Sequence, residues 1–139
     1  MKSLLDSKFY GSQAGSNYIF KLEQRFSKYI EGEKSEKPFF SLAMCNATSA
    51  IFASLISLNL IKGDTILTTP YTYGGTIAGA LLMGLKIIFA DIDPNTMTLS
   101  SIEVERMMKK YPEMKAVLDV DIYGTPSNSY EISNILKNY

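Results

Sequence analysis

The sequence contains no histidine. That absence removes Ser-His-Asp and Cys-His nucleophilic arrangements from this chain. With a single cysteine, Cys45, it removes nearly every zinc ligand set as well. Chemistry here must run on carboxylates, lysine, hydroxyls, backbone amides or a cofactor. One cysteine forms no internal disulfide, which fits a reducing compartment. Charge of one sign is also lacking, since 14 Lys and Arg balance 14 Asp and Glu to a formal net charge of zero. A nucleic-acid surface needs surplus cations to displace counterions, so none is expected. No long hydrophobic run is present either. The most apolar stretch, residues 77–92, is broken by Lys86 and Asp91. It falls short of the ~20 apolar residues of a membrane span. The start, MKSLLDSKFYGSQ, has no apolar core of signal-peptide length. These readings predict a cytoplasmic protein, in which the Asn46-Ala47-Thr48 glycosylation sequon is accidental.

What is present is ordinary globular material. The 139 residues are 46% hydrophobic and 20% charged, enough for one domain with its own core. Ile19, Leu22, Phe26 and Tyr29 recur at helical spacing and predict an amphipathic helix over 17–30. EGEKSEK, 31–37, reads as a charged connector and PFFSLAM, 38–44, as a short buried strand. Ile51, Leu55 and Leu58 line a helix face from Ala47, with Lys62-Gly63-Asp64 as its stop. TILTTP is a strand closed by Pro70, and 76–83 a small-residue helix packed closely through Gly79 and ended at Gly84. KIIFADID is a strand that turns at Asp93-Pro94. Ser100 caps a helix to Lys110, with Glu103 placed to complete a capping box. AVLDVDIY, a turn at Gly124-Thr125-Pro126 and a helix to Tyr139 finish the chain.

Strands alternating with helices predict a parallel sheet covered on both faces, from four strand candidates. In such sheets ligands gather at the carboxyl ends of the strands. Asn46-Ala47-Thr48-Ser49, Tyr71 to Gly75, Asp91, Asp93, Asp119, Asp121 and Tyr123 fall there. In MCNATSAIFASL, an N-cap at Asn46 leaves first-turn amides and two hydroxyls to face an anion, and it also serves as a plain structural cap. No G-x-G-x-x-G or Walker A pattern is present. PYTYGG offers an aromatic wall beside a glycine pair that lets backbone come close, or a Tyr packed over the sheet edge. The aspartate pairs suggest a magnesium site or turn chemistry. Cys45 and the methionines read as core fillers.

The order of these pieces is specific. N-A-T-S-A opening a helix, K-G-D-T-I-L-T-T-P-Y-T-Y, G-L-K-I-I-F-A-D-I-D-P-N-T-M-T-L and D-I-Y-G-T-P together resemble the DegT/DnrJ/EryC1/StrS aminotransferases. These are sugar aminotransferases of the fold type I class dependent on pyridoxal 5'-phosphate (PLP). The resemblance runs from about Gly11 to the end. It implies an α/β three-layer sandwich with a mainly parallel sheet, of which residues 1–139 are the N-terminal part of the PLP-binding large domain. It implies that Thr48 and Ser49 bind the cofactor phosphate and that Tyr73 stacks on the pyridine ring. A nucleotide-linked keto sugar and glutamate are the implied substrates, and a homodimer the implied assembly.

Several positions depart from the family pattern. Ala47 stands where Gly is usual, Asp121 where His is common, and Thr125 where Gln is common. The chain is less than half the family length. It lacks the Asp that pairs with the pyridinium nitrogen, and none of its lysines, Lys137 included, sits in the Schiff-base motif. Both groups are needed for PLP chemistry, so this chain alone is expected to bind PLP at most weakly, through its phosphate, without a lysine adduct and without transamination. The alternatives are a non-catalytic remnant or binding module, one half of a split enzyme, or a magnesium-dependent phosphoryl-transfer domain.

Overall fold

The computed structural model describes residues 17–31 and 38–139. The chain divides into two compact units, Met1–Cys45 and Asn46–Tyr139. In the first, the predicted amphipathic helix is α1 (Asn17–Glu31), and none of its residues is buried. Phe26 and Tyr29 bring their rings to 6.1 Å on its surface. The expected connector lies, from residue 32 onward, outside the described residues, as does MKSLLDSKFYGSQ. PFFSLAM is not a strand. Among the described residues its backbone pairs with no strand, and the Ala43 amide donates to the Glu23 carboxylate at 2.8 Å. Phe40 is 91% exposed, and Cys45, expected in a core, is exposed too.

The second unit is the α/β body. It runs α2 (Ala47–Ser57), β1 (Thr65–Thr68), α3 (Gly75–Leu82), β2 (Lys86–Phe89), α4 (Ser101–Lys110), β3 (Met114–Val117) and α5 (Ser129–Leu136). A 3-10 turn, Ile122–Gly124, precedes α5. The three strands are parallel in the order β2-β1-β3. Only β1, flanked on both sides, is buried along its whole length. Its side chains alternate between the faces, as a strand's period of two requires. Ile66 packs with Leu55, Ala80 and Leu85 under α2 and α3, while Leu67 packs with Val104, Met107 and Ile132 under α4 and α5. That makes the predicted three layers. Both side chains are 0% exposed, and each contributes about 1.5–3 kcal/mol of apolar transfer.

The glycine inside α3 permits that packing. A Cβ on Gly79 would lie 2.9 Å from Phe52 Cβ and 3.0 Å from Phe52 Cα, so α2 and α3 touch backbone to backbone there. α2 stops earlier than expected. Asn59, at φ 55°, takes the left-handed position just past Leu58, and Gly63, at φ 94°, turns the chain later into β1. β3 begins two residues before AVLDVDIY and ends at Val117. Beyond it Leu118 still donates to the Leu67 carbonyl, but Thr68 Oγ1 claims the Leu118 carbonyl at 2.7 Å and the ladder stops. Asp119 and Asp121 therefore sit in a loop. The β2 strand likewise ends before Asp91 and Asp93, and among the described residues three strands form where four were expected. The capping box at α4 is half formed. Ser100 Oγ accepts from the Glu103 amide, but the Glu103 carboxylate turns to Arg106, and the Ser100 amide donates to the Asp91 carbonyl.

Candidate functional site

The start of α2 is built by Asn46. Its extended backbone (φ −163°, ψ 168°) ends the preceding segment, its side-chain oxygen accepts from the Ser49 amide at 2.8 Å, and its carbonyl accepts from Ala50. Asn46 is thus a structural cap. Helix geometry leaves the Ala47 and Thr48 amides without an intrahelical acceptor, at the positive end of the helix dipole. The cap takes the Ser49 amide, so that group is not open to a ligand. Thr48 and Ser49 are both half-buried.

The loop from β1 to α3 is pinned at both ends. The Thr69 hydroxyl accepts from the Tyr71 amide at 3.1 Å, the Thr72 and Thr76 hydroxyls share a bond of 2.8 Å, and the Thr76 amide donates to the Tyr73 carbonyl at 2.9 Å. This loop ends at Gly75, the first residue of α3. A Cβ built there would stand 2.6 Å from Thr48 Oγ1 and 2.8 Å from Cε1 of the Tyr73 ring. The space of one absent methyl group therefore joins the Thr48 hydroxyl to the Tyr73 ring. Tyr73 is 80% exposed, so its ring is open to a partner. The fold brings the start of α2 and the PYTYGG loop to one place, and Gly75 is the residue that does so.

The aspartates behave differently. Asp91 accepts from the next amide, Ile92, and Asp93 from the Asn95 amide and side chain. Asp119 accepts from the Val120 amide and the Ser127 hydroxyl, and Asp121 from the Ser127 amide at 2.8 Å. Asp91 and Asp93 bond within their own turns, Asp119 and Asp121 both brace one loop through Ser127, and among the described residues no three His, Cys, Asp or Glu groups gather. A cleft of about 380 Å³ lined by Asp93, Thr96, Ser101, Ser127 and Glu131 contains none of Thr48, Ser49 and Tyr73. The Thr48–Tyr73 site is an open platform. Missed by sequence reasoning was the conformation of Tyr123, left-handed at φ 53°, ψ 21°, which sets its ring edge-on to Tyr71 at 6.5 Å. A Tyr before Gly gives no signal of that backbone. The neighbouring Tyr123 phenol holds the Tyr71 phenol above its ordinary 10.0.

Comparison with known proteins finds relatives of the chain as a whole. The dTDP-4-amino-4,6-dideoxy-D-glucose transaminase of Shigella dysenteriae is 32% identical over 119 residues, 86% of this chain and 30% of the relative. The solved structure of NtdA from Bacillus subtilis, with bound cofactor PMP, superposes at a TM-score of 0.85 and 25% identity, over 99% of this chain and 29% of that one. The Escherichia coli GDP-4-keto-6-deoxy-D-mannose-3-dehydratase with bound hydrated PLP gives 0.84 and 25%, over 98% and 34%. The chain spans between 22% and 34% of the length of the first curated relatives it matches. A family model matches residues 1–139 throughout, and the chain belongs to the DegT/DnrJ/EryC1/StrS aminotransferase family.

Proposed function

We propose that these residues are the N-terminal part of the PLP-binding large domain of a nucleotide-sugar aminotransferase, and that they hold one side of the cofactor. Thr48 and Ser49 hydroxyls, with the Ala47 and Thr48 amides, take the phosphate, and Tyr73 covers one face of the pyridine ring. The observation that carries this reading is Gly75, against which the Thr48 hydroxyl and the Tyr73 ring meet. A ligand that joins a phosphate to a flat ring by a short linker suits that juxtaposition. An anion there also gains from the helix dipole. When bound, PLP supplies the electron sink through which an amino group passes between donor and acceptor.

This chain's residues bind and orient. The phosphate contacts fix the ring's position, and Tyr73 fixes its tilt. The amino donor we infer is glutamate, the acceptor a keto group on a nucleotide-linked sugar, and the assembly a homodimer in the cytoplasm. Family membership, the transaminase relative and the lone cysteine support this. The chain alone is predicted not to transaminate, since no lysine in it matches the family's Schiff-base motif. The magnesium reading is the weaker one, because all four carboxylates accept hydrogen bonds from nearby loop groups and, among the described residues, no three of them gather.

Equilibrium dialysis of the 139-residue chain against PLP and against pyridoxal, which lacks the phosphate, tests the assignment. Hydrogen bonds to a charged group are worth about 1.5–3 kcal/mol, so Thr48→Ala is expected to weaken PLP about tenfold or more. Pyridoxal binding should not change. Equal PLP affinity in both chains would remove Thr48 from the site.

A further inference from the structure

Two loops leave the carboxyl ends of the neighbouring strands β1 and β3. The first, residues 69–75, carries Tyr73. The second, residues 118–128, is tied to itself. The Gly124 amide donates to the Asp121 carbonyl, the Ser127 amide to the Asp121 carboxylate and the Ser127 hydroxyl to the Asp119 carboxylate. From this second loop Tyr123 leans out in a left-handed conformation, followed by Gly124, also left-handed at φ 78°. A non-glycine residue adopts that backbone at a cost, which the surrounding loop must offset. Here the conformation aims the ring at Tyr71, with centroids 6.5 Å apart at 72°, an edge-to-face pair.

We propose that Tyr71 and Tyr123 form an aromatic clasp between the two loops, and that this clasp positions Tyr73. The inference rests on the reading of Tyr73 as the ring-stacking residue. Tyr73 itself has little packing to hold it, being 80% exposed. Its backbone depends on the loop around it, and Tyr71 is the ring two residues away that reaches a separate, self-braced loop. The Thr69 and Thr72–Thr76 hydrogen bonds fix the loop from within. Tyr123 adds a tie from outside it. Tyr71 and Tyr123 are positioning residues, and contact with the cofactor is left to Tyr73 and Thr48. The upward push of Tyr123 on the Tyr71 phenol agrees with this contact.

The test uses the 139-residue chain with Tyr123→Gly, which keeps the left-handed backbone while deleting the ring, and Tyr123→Phe, which keeps the ring. In Tyr123→Gly, amide hydrogen exchange across residues 71–74 should quicken about three- to tenfold, the loss expected of one aromatic pair, with α4 unchanged. The Tyr71 phenol should titrate back toward 10.0 in both variants. PLP affinity should fall in Tyr123→Gly, and Tyr73→Ala should cost less in that background than in the parent chain. Tyr123→Phe should retain most of the affinity. Unchanged exchange at 71–74 would overturn the clasp, as would additive losses from Tyr123→Gly and Tyr73→Ala. Exchange and titration need no cofactor. Failure of the parent chain to bind PLP would therefore count against the functional reading, while those two readouts still decide the contact.

Discussion

At Gly75 a hydrogen stands where any other residue would place a carbon 2.6 Å from Thr48 Oγ1. Its backbone is helical, so alanine meets no conformational barrier, and as a helix former alanine is favoured over glycine by up to about 1 kcal/mol. What alanine meets is the Thr48 hydroxyl and the Tyr73 ring, both able to rotate away. Gly75→Ala should therefore leave the denaturation midpoint level or slightly raised and weaken PLP at least severalfold. Loss of stability in parallel with loss of binding would mean that the glycine serves packing alone. Thr48, Ser49 and Tyr73 stood out as candidates in sequence because hydroxyls beside a cap and an aromatic at a strand end are local signals, while the roles proposed for them came from the family resemblance. Gly75 was half legible. The glycine pair announced close approach, but which groups approach depends on two loops nearly thirty residues apart.

The elements follow their local chemistry where the chain ends them and depart from it where pairing decides. Asn46 and Ser100 announce α2 and α4 because a cap acts within three residues. PFFSLAM misleads because an apolar run says nothing about a partner strand. AVLDVDIY misleads because Thr68, in another strand, takes the carbonyl that would have extended the ladder. The helix pair α2–α3 yields the sharper prediction. A Cβ at Gly79 would meet the Phe52 backbone at 3.0 Å, and backbone cannot rotate out of the way. Gly79→Ala should push the helices apart and cost about 1–3 kcal/mol. Urea denaturation followed by circular dichroism would read this as a lower midpoint at unchanged slope. An unchanged midpoint would show that α2 and α3 have room to spare. Gly75→Ala and Gly79→Ala thus differ in kind: one disturbs a site, the other a scaffold.

For the whole molecule, the family resemblance was carried by the order of four motifs, and all four lie in the second unit, whose three-layer body has β1 at its centre. The first unit contributes α1, whose exposed apolar residues have no buried member. The relatives are roughly three times longer, and on the proposed reading this chain supplies one side of their cofactor platform. That platform is the central claim. Its most direct test is a nitrogen-15 and aromatic carbon-13 NMR titration of the 139-residue chain with PLP. The account predicts that the largest shifts fall together on the Ala47 and Thr48 amides and on the Tyr73 ring, with inorganic phosphate moving the amides alone. Shifts centred instead on the cleft beside Asp93 and Ser127, or on scattered lysines, would contradict it.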